Sequence, residues 1–148
     1  MKNYRLINNL AGWSVFAVAA VTYLMTIEPT ASLWDCGEFI ASVFKLEVGH
    51  PPGNPVFMVM GRFFTLFAGG NVSKVAATVN AMSALASAFT ILFLFWTITH
   101  LARKILLRNE NQYNTGRIIA VMAAGVVGAI AYSFSDSFWF SAVEGEVY

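Results

Sequence analysis

The sequence predicts an all-α, multi-pass membrane protein, and three observations carry that expectation. Hydrophobic residues make up 57% of the 148 and charged residues only 11%, against about 25% charged in an ordinary soluble domain. Three windows, 10–27, 75–99 and 118–135, contain no Asp, Glu, Lys or Arg, and each is close to the roughly 20 apolar residues that cross a bilayer as a helix. Basic residues collect before the first window and between the second and third, as the positive-inside rule requires of cytoplasmic segments. The net charge of +1 offers no strongly basic face to a nucleic acid. The single cysteine, Cys36, has no second cysteine in the chain to pair with.

The elements follow in order. A first span covers 10–27, preceded by Lys2 and Arg5 on the cytoplasmic side. A signal peptide over 1–30 is the competing reading, but an apolar core of 18 residues exceeds the usual length of about 7–15. The extracytoplasmic loop 28–74 carries two helices. One, about 32–46, sets Leu33, Phe39, Ile40, Val43, Phe44 and Leu46 against a mixed polar face. The other, 55–69, is apolar but short and holds Arg62 at its middle, which suits a helix lying in the interface with its arginine snorkelling. A second span covers 75–101. The loop 102–117 contains Arg103, Lys104, Arg108 and Arg117 against Glu110 alone, so it is cytoplasmic. Two cytoplasmic segments need an even number of crossings between them, which excludes 55–69 as a span. The third span is 118–136, and 137–148 begins a second extracytoplasmic loop, with Phe138, Trp139 and Phe140 as an interfacial aromatic belt. The chain stops soon after a span, as expected of the N-terminal piece of a longer protein.

This topology puts six of the nine basic residues inside and seven of the eight acidic residues outside: Glu28, Asp35, Glu38, Glu47, Asp136, Glu144 and Glu146. Asp35 and Glu38 are spaced i and i+3, on one face of a helix. Two carboxylates that close raise each other's proton affinity, which suits a general base or a shared cation site. The same residues also fit a plainer pattern, a Ser32-x-x-Asp35 capping box. His50-Pro51-Pro52-Gly53 predicts a stiff turn, because each proline fixes its own φ and restricts the residue before it. That turn would hold His50 near the carboxylates. Arg62 has a fork matched to phosphate oxygens. Glu144 and Glu146 could complete an acidic pocket or bind a hard divalent cation. The metal, if there is one, stays open.

The stretches SLWDCGEFIASVFKLEVGHPPGNPVFMVMGRFF (32–64) and SDSFWFSAVEGEVY (135–148) go further. With their D-x-G-E and H-P-P-G motifs, they resemble the N-terminal part of a family of bacterial multi-pass membrane proteins that are protein O-mannosyltransferase-like. The resemblance runs through essentially the whole chain. It implies a GT-C-class glycosyltransferase that takes a sugar, mannose first among the candidates, from a polyprenyl-phosphate carrier. The acceptors would be Ser or Thr hydroxyls of secreted or membrane proteins, and the anomeric centre would invert. In that reading Asp35 is the catalytic base and Glu38 orients the acceptor or tunes Asp35. His50 and Arg62 hold the departing lipid phosphate, and Glu144 and Glu146 form the opposite wall. No cofactor is required beyond a possible divalent cation. The protein would sit among the lipids of a bacterial inner membrane, N-terminus cytoplasmic and active loop periplasmic, and this piece alone would be inactive. The competing functions are a transporter or channel component and a non-catalytic membrane scaffold. The spans contain almost no ionisable residues of the kind that mark a substrate path.

Overall fold

A computed structural model describes residues 2–50, 53–107 and 113–145, with side chains from Tyr4 onward. Among the described residues six α-helices follow one another: α1 (Lys2–Met25), α2 (Cys36–Lys45), α3 (Pro55–Thr65), α4 (Val75–Leu106), α5 (Thr115–Ser133) and α6 (Asp136–Ala142). Short 3-10 turns occupy Leu66–Ala68 and Val72–Lys74. No strand occurs among the described residues. α1, α4 and α5 are long and apolar enough to cross a membrane, and the protein is an integral membrane protein of all-α architecture.

The long helices do not stop where the charge-free windows stop. α1 begins near the N-terminus and ends at Met25, before Pro29. α4 continues past 101 to Leu106, with Arg103 and Lys104 in its last turn, where cations complement the helix dipole. α5 starts at Thr115, because the Asn114 side chain accepts the Arg117 N–H at 2.9 Å and caps the helix. It ends at Ser133 rather than 136, and Asp136 opens α6 instead.

By their contacts the residues form two units, 1–21 with 88–138, and 22–87 with 139–148. In the first, small residues let helices approach closely, the usual means of packing in lipid. A Cβ at Gly125 would lie 2.5 Å from Thr99 Cγ2 and 2.8 Å from Phe95, and one at Gly128 would lie 2.7 Å from Ile98 Cδ1. Trp13 meets Phe16, Phe89 and Trp96 edge-on.

The second unit is built around Cys36, Phe39, Ile40 and Val43 of α2, Met58 of α3, Ala68, and Val75, Val79 and Met82 of α4. Burying the Val, Ile, Phe and Met side chains among these stabilises by about 1.5–3 kcal/mol each. α2 and α3 touch through Gly61, where an added Cβ would fall 2.8 Å from Val43 Cγ1. The face of α3 holding Met58, Gly61 and Thr65 is buried. Val56, Val59, Met60 and Phe63 face outward, an apolar stripe at helical spacing.

Candidate functional site

The site begins with a break in the backbone. Trp34 has φ of 62°, in the left-handed region that costs a non-glycine residue about 1–2 kcal/mol. This is why α2 starts at Cys36 and not at 32. Asp35 is the residue that flanks it, and its carbonyl accepts the Phe39 N–H at 2.9 Å. Its carboxylate makes no capping bond, so neither Ser32 nor Asp35 works as the capping box would have them. Glu38 stands in the first turn of α2, where the positive end of the helix dipole favours a carboxylate.

The other end of α2 is closed by Leu46, again left-handed at φ 57°, with Ser42 O accepting from the N–H of Leu46 and, at 2.9 Å, of Glu47. α2 is about 15 Å long, and the four steps from Leu46 to His50 can span about 13 Å when extended. Glu38 stands eight residues, about 12 Å, back along the axis from Leu46, so the chain has enough length to bring His50 to it. Gly49 lets it come close: a Cβ there would lie 3.4 Å from Glu38 Oε1 and 3.3 Å from Met58 Cε. The Gly53 N–H donates to the His50 carbonyl at 3.0 Å, with Gly53 at φ 77°, and Pro55 then opens α3, a position where proline's fixed φ helps. The Pro51-Pro52 pair expected to stiffen this turn lies outside the described residues.

The result is an imidazole between two carboxylates. Glu38 Oε1 accepts the His50 backbone N–H at 2.8 Å and lies 3.2 Å from His50 Nδ1. His50 Nε2 lies 3.9 Å from Asp35 Oδ2. The Phe39 ring flanks the imidazole at 5.8 Å. The backbone N–H of His50 first, and its imidazole second, hold the Glu38 carboxyl below its ordinary range. Only an imidazolium donates to both acids at once. With two carboxylates to one imidazole the cluster is negative even then, so it suits hydroxyl donors or a cation better than a bare phosphate. One ligand atom from each of Asp35, Glu38 and His50 falls within 4.8 Å of the others, a set of two carboxylates and one imidazole that could hold a divalent ion.

The other expected residues lie elsewhere. The Arg62 guanidinium donates to the Phe44 carbonyl and faces Thr65 Oγ1, with its Cζ 5.6 Å over the Phe44 ring. It ties α3 to the far end of α2, about 13 Å along the axis from Asp35. Glu144 is not a solvated loop end: it is 4% exposed, and among the described residues its Oε2 has no hydrogen-bond partner. Glu146 lies outside the described residues. Trp139, expected in an interfacial belt, donates from Nε1 to Thr26 Oγ1 at 3.1 Å and packs edge-on to Tyr23. Asn80 was hidden in the apolar window of α4. Fully buried, it donates to the carbonyls of Glu28 at 2.7 Å and Thr30 at 3.1 Å, while its Oδ1 abuts Gly145. The one signal for it in sequence is an amide side chain within a charge-free span.

Comparison with known proteins decides the family. The family described as "Protein O-mannosyl-transferase TMEM260 N-terminal domain" matches residues 35–148, from the first acid of the cluster onward. The chain belongs to this family. It is 27% identical over 134 residues to "Protein O-mannosyl-transferase tmem260" of Dictyostelium discoideum, covering 90% of this chain and 14% of that protein. It is 29% identical over 136 residues to "Protein O-mannosyl-transferase TMEM260" of Mus musculus, covering 91% of this chain and 16% of that one. The chain thus spans a small part of the length of these relatives. No solved structure matches it.

Proposed function

We propose that this chain forms the N-terminal, acid-bearing part of a membrane glycosyltransferase that moves a mannosyl group from a polyprenyl-phosphate carrier to Ser or Thr hydroxyls of proteins. The observation that carries the reading is His50 seated between Asp35 and Glu38, in a segment whose family is named for protein O-mannosyl transfer. GT-C-class chemistry, a bacterial inner membrane with the loop on its outer side, and the polyprenyl carrier are parts of the same proposal.

Asp35 takes the proton from the acceptor hydroxyl as its oxygen attacks the anomeric carbon. The bond from that carbon to the phosphate oxygen breaks, and the phosphate leaves with the electron pair. One in-line displacement inverts the anomeric centre. Glu38 fixes the imidazole, and His50 in turn orients Asp35 and holds a positive charge beside the reacting groups. In place of the imidazolium, a divalent ion held by Asp35, Glu38 and a neutral His50 would supply the charge that meets the leaving phosphate. Arg62, at the other end of α2, is the weaker of the two phosphate candidates and serves first to dock α3. Glu144 and Glu146 are assigned to the acceptor side.

The test uses the full-length parent protein in membrane vesicles with polyprenyl-phosphate [14C]mannose and a Ser/Thr peptide. The expected result is labelled peptide whose linkage has the anomeric configuration opposite to that of the donor. Retention of configuration would overturn the single-displacement mechanism, and the absence of transfer would overturn the enzyme class.

A further inference from the structure

The mechanism leaves one side chain of the site unused. Trp34 precedes Asp35 directly, is 84% exposed, and is held in the left-handed backbone region. Among the described residues it has no hydrogen-bond or ring partner. A strained backbone at a bulky residue persists only where something requires it. Packing among the described residues does not require it, because the ring stands clear of them. The turn does not require it either, since glycine adopts that φ without strain. What remains is the indole itself, exposed on the residue next to the first acid of the cluster.

We propose that Trp34 is the platform on which the transferred hexose stacks, holding its anomeric carbon toward Asp35. The inference rests on the glycosyltransferase reading and adds to it the residue that positions the sugar. The negative face of an indole attracts the slightly positive C–H edge of a pyranose, while neighbouring carboxylates accept its hydroxyl protons. A sugar ring therefore matches both halves of this surface, the apolar plane and the acids beside it. A purely lipid partner matches only the first. Trp34 makes no bond in the reaction; it is a positioning residue.

The experiment measures transfer by the full-length parent protein in membranes, with polyprenyl-phosphate mannose varied at saturating peptide, for wild type, Trp34→Gly and Trp34→Phe. Glycine keeps the turn and removes the ring, so it separates a backbone role from a stacking role. The expected result is a donor KM raised by about tenfold or more in Trp34→Gly, with kcat falling much less, and a KM within about threefold of wild type in Trp34→Phe. Resistance to alkaline extraction should equal that of wild type in both variants; the thermal midpoint should be unchanged in Trp34→Phe and no lower in Trp34→Gly, which relieves the left-handed strain. A Trp34→Gly protein with the wild-type donor KM overturns the inference. So does one that is lost from alkaline-washed membranes while its remaining fraction keeps that KM, which marks Trp34 as a membrane anchor. If wild type itself transfers nothing, the glycosyltransferase reading fails and takes this inference with it. That case is told apart because the unsubstituted protein is then the inactive one.

Discussion

Glu38 binds His50 twice through one oxygen: Oε1 accepts the backbone N–H at 2.8 Å and faces Nδ1 at 3.2 Å. The two residues are twelve apart in sequence, so this carboxylate both docks the loop that follows α2 and sets the imidazole's orientation toward Asp35.

The pH dependence of that docking has a defined sign. The folded-state pKa of Glu38 lies below its ordinary 4.5, so its contribution is complete above 4.5 and is lost as the pH falls through the depressed value. A carboxyl titration of Glu38 followed by 13C NMR should show a midpoint under 4.5. In Glu38→Gln the acid-side loss of protection at the His50 amide should disappear. A midpoint at or above 4.5 would mean that the two bonds to His50 are not made in solution.

Gly61 tests the packing that places α3. Gly61→Ala drives a methyl to 2.8 Å from Val43 Cγ1 and 2.9 Å from Val43 Cγ2, on a β-branched side chain with little freedom to move. The expected cost is about 1–3 kcal/mol, read as a lowered unfolding midpoint in detergent. Gly61→Ala combined with Val43→Ala should cost less than the sum of the two single changes.

Asn80→Leu leaves the carbonyls of Glu28 and Thr30 without their donor. Glu28 is half-buried and Thr30 exposed, so the loss is that of the two hydrogen bonds themselves, about 0.5–1.5 kcal/mol each; thermal stability should fall and the Glu28 and Thr30 amides should exchange faster. An unchanged midpoint would show that this segment is not held by α4.

Glu144 separates structure from function by the opposite route. Its Oε2 makes no hydrogen bond, so Glu144→Gln forfeits no visible contact and should leave the unfolding midpoint of the full-length protein equal or raised. Transfer activity should nonetheless fall by about tenfold or more if the carboxyl serves the acceptor side. Full activity in Glu144→Gln removes that assignment.

Much of this was legible from the sequence because lipid imposes strong rules. Charge-free windows mark helices that satisfy their own backbone, so three spans could be read directly, though not their ends, which run on into polar flanks such as Arg103 and Lys104. The i, i+3 spacing of Asp35 and Glu38 and the nearness of His50 were readable from a helix followed by a rigid turn. The left-handed Trp34 and Leu46 were not, since nothing in a bulky residue announces positive φ. Nor was the direction of Arg62: a snorkelling arginine and one that bonds the Phe44 carbonyl look alike in sequence. Asn80 and the burial of Glu144 depend on packing between segments more than fifty residues apart, which no local pattern encodes.

The most direct test compares wild type with Asp35→Asn in the full-length parent protein, at equal amounts in membranes. The readout is the single-turnover rate of mannosyl transfer from polyprenyl-phosphate mannose to a Ser/Thr peptide. Asn keeps the shape of the side chain and gives up the exposed ion pair with His50 Nε2 at 3.9 Å, worth about 0–1 kcal/mol, so insertion should be unchanged and the thermal midpoint close to that of wild type. The account predicts a fall of about a hundredfold or more in the rate, the scale of a lost general base. A variant as fast as wild type would contradict it and would return Asp35 to being only the residue that flanks the start of α2.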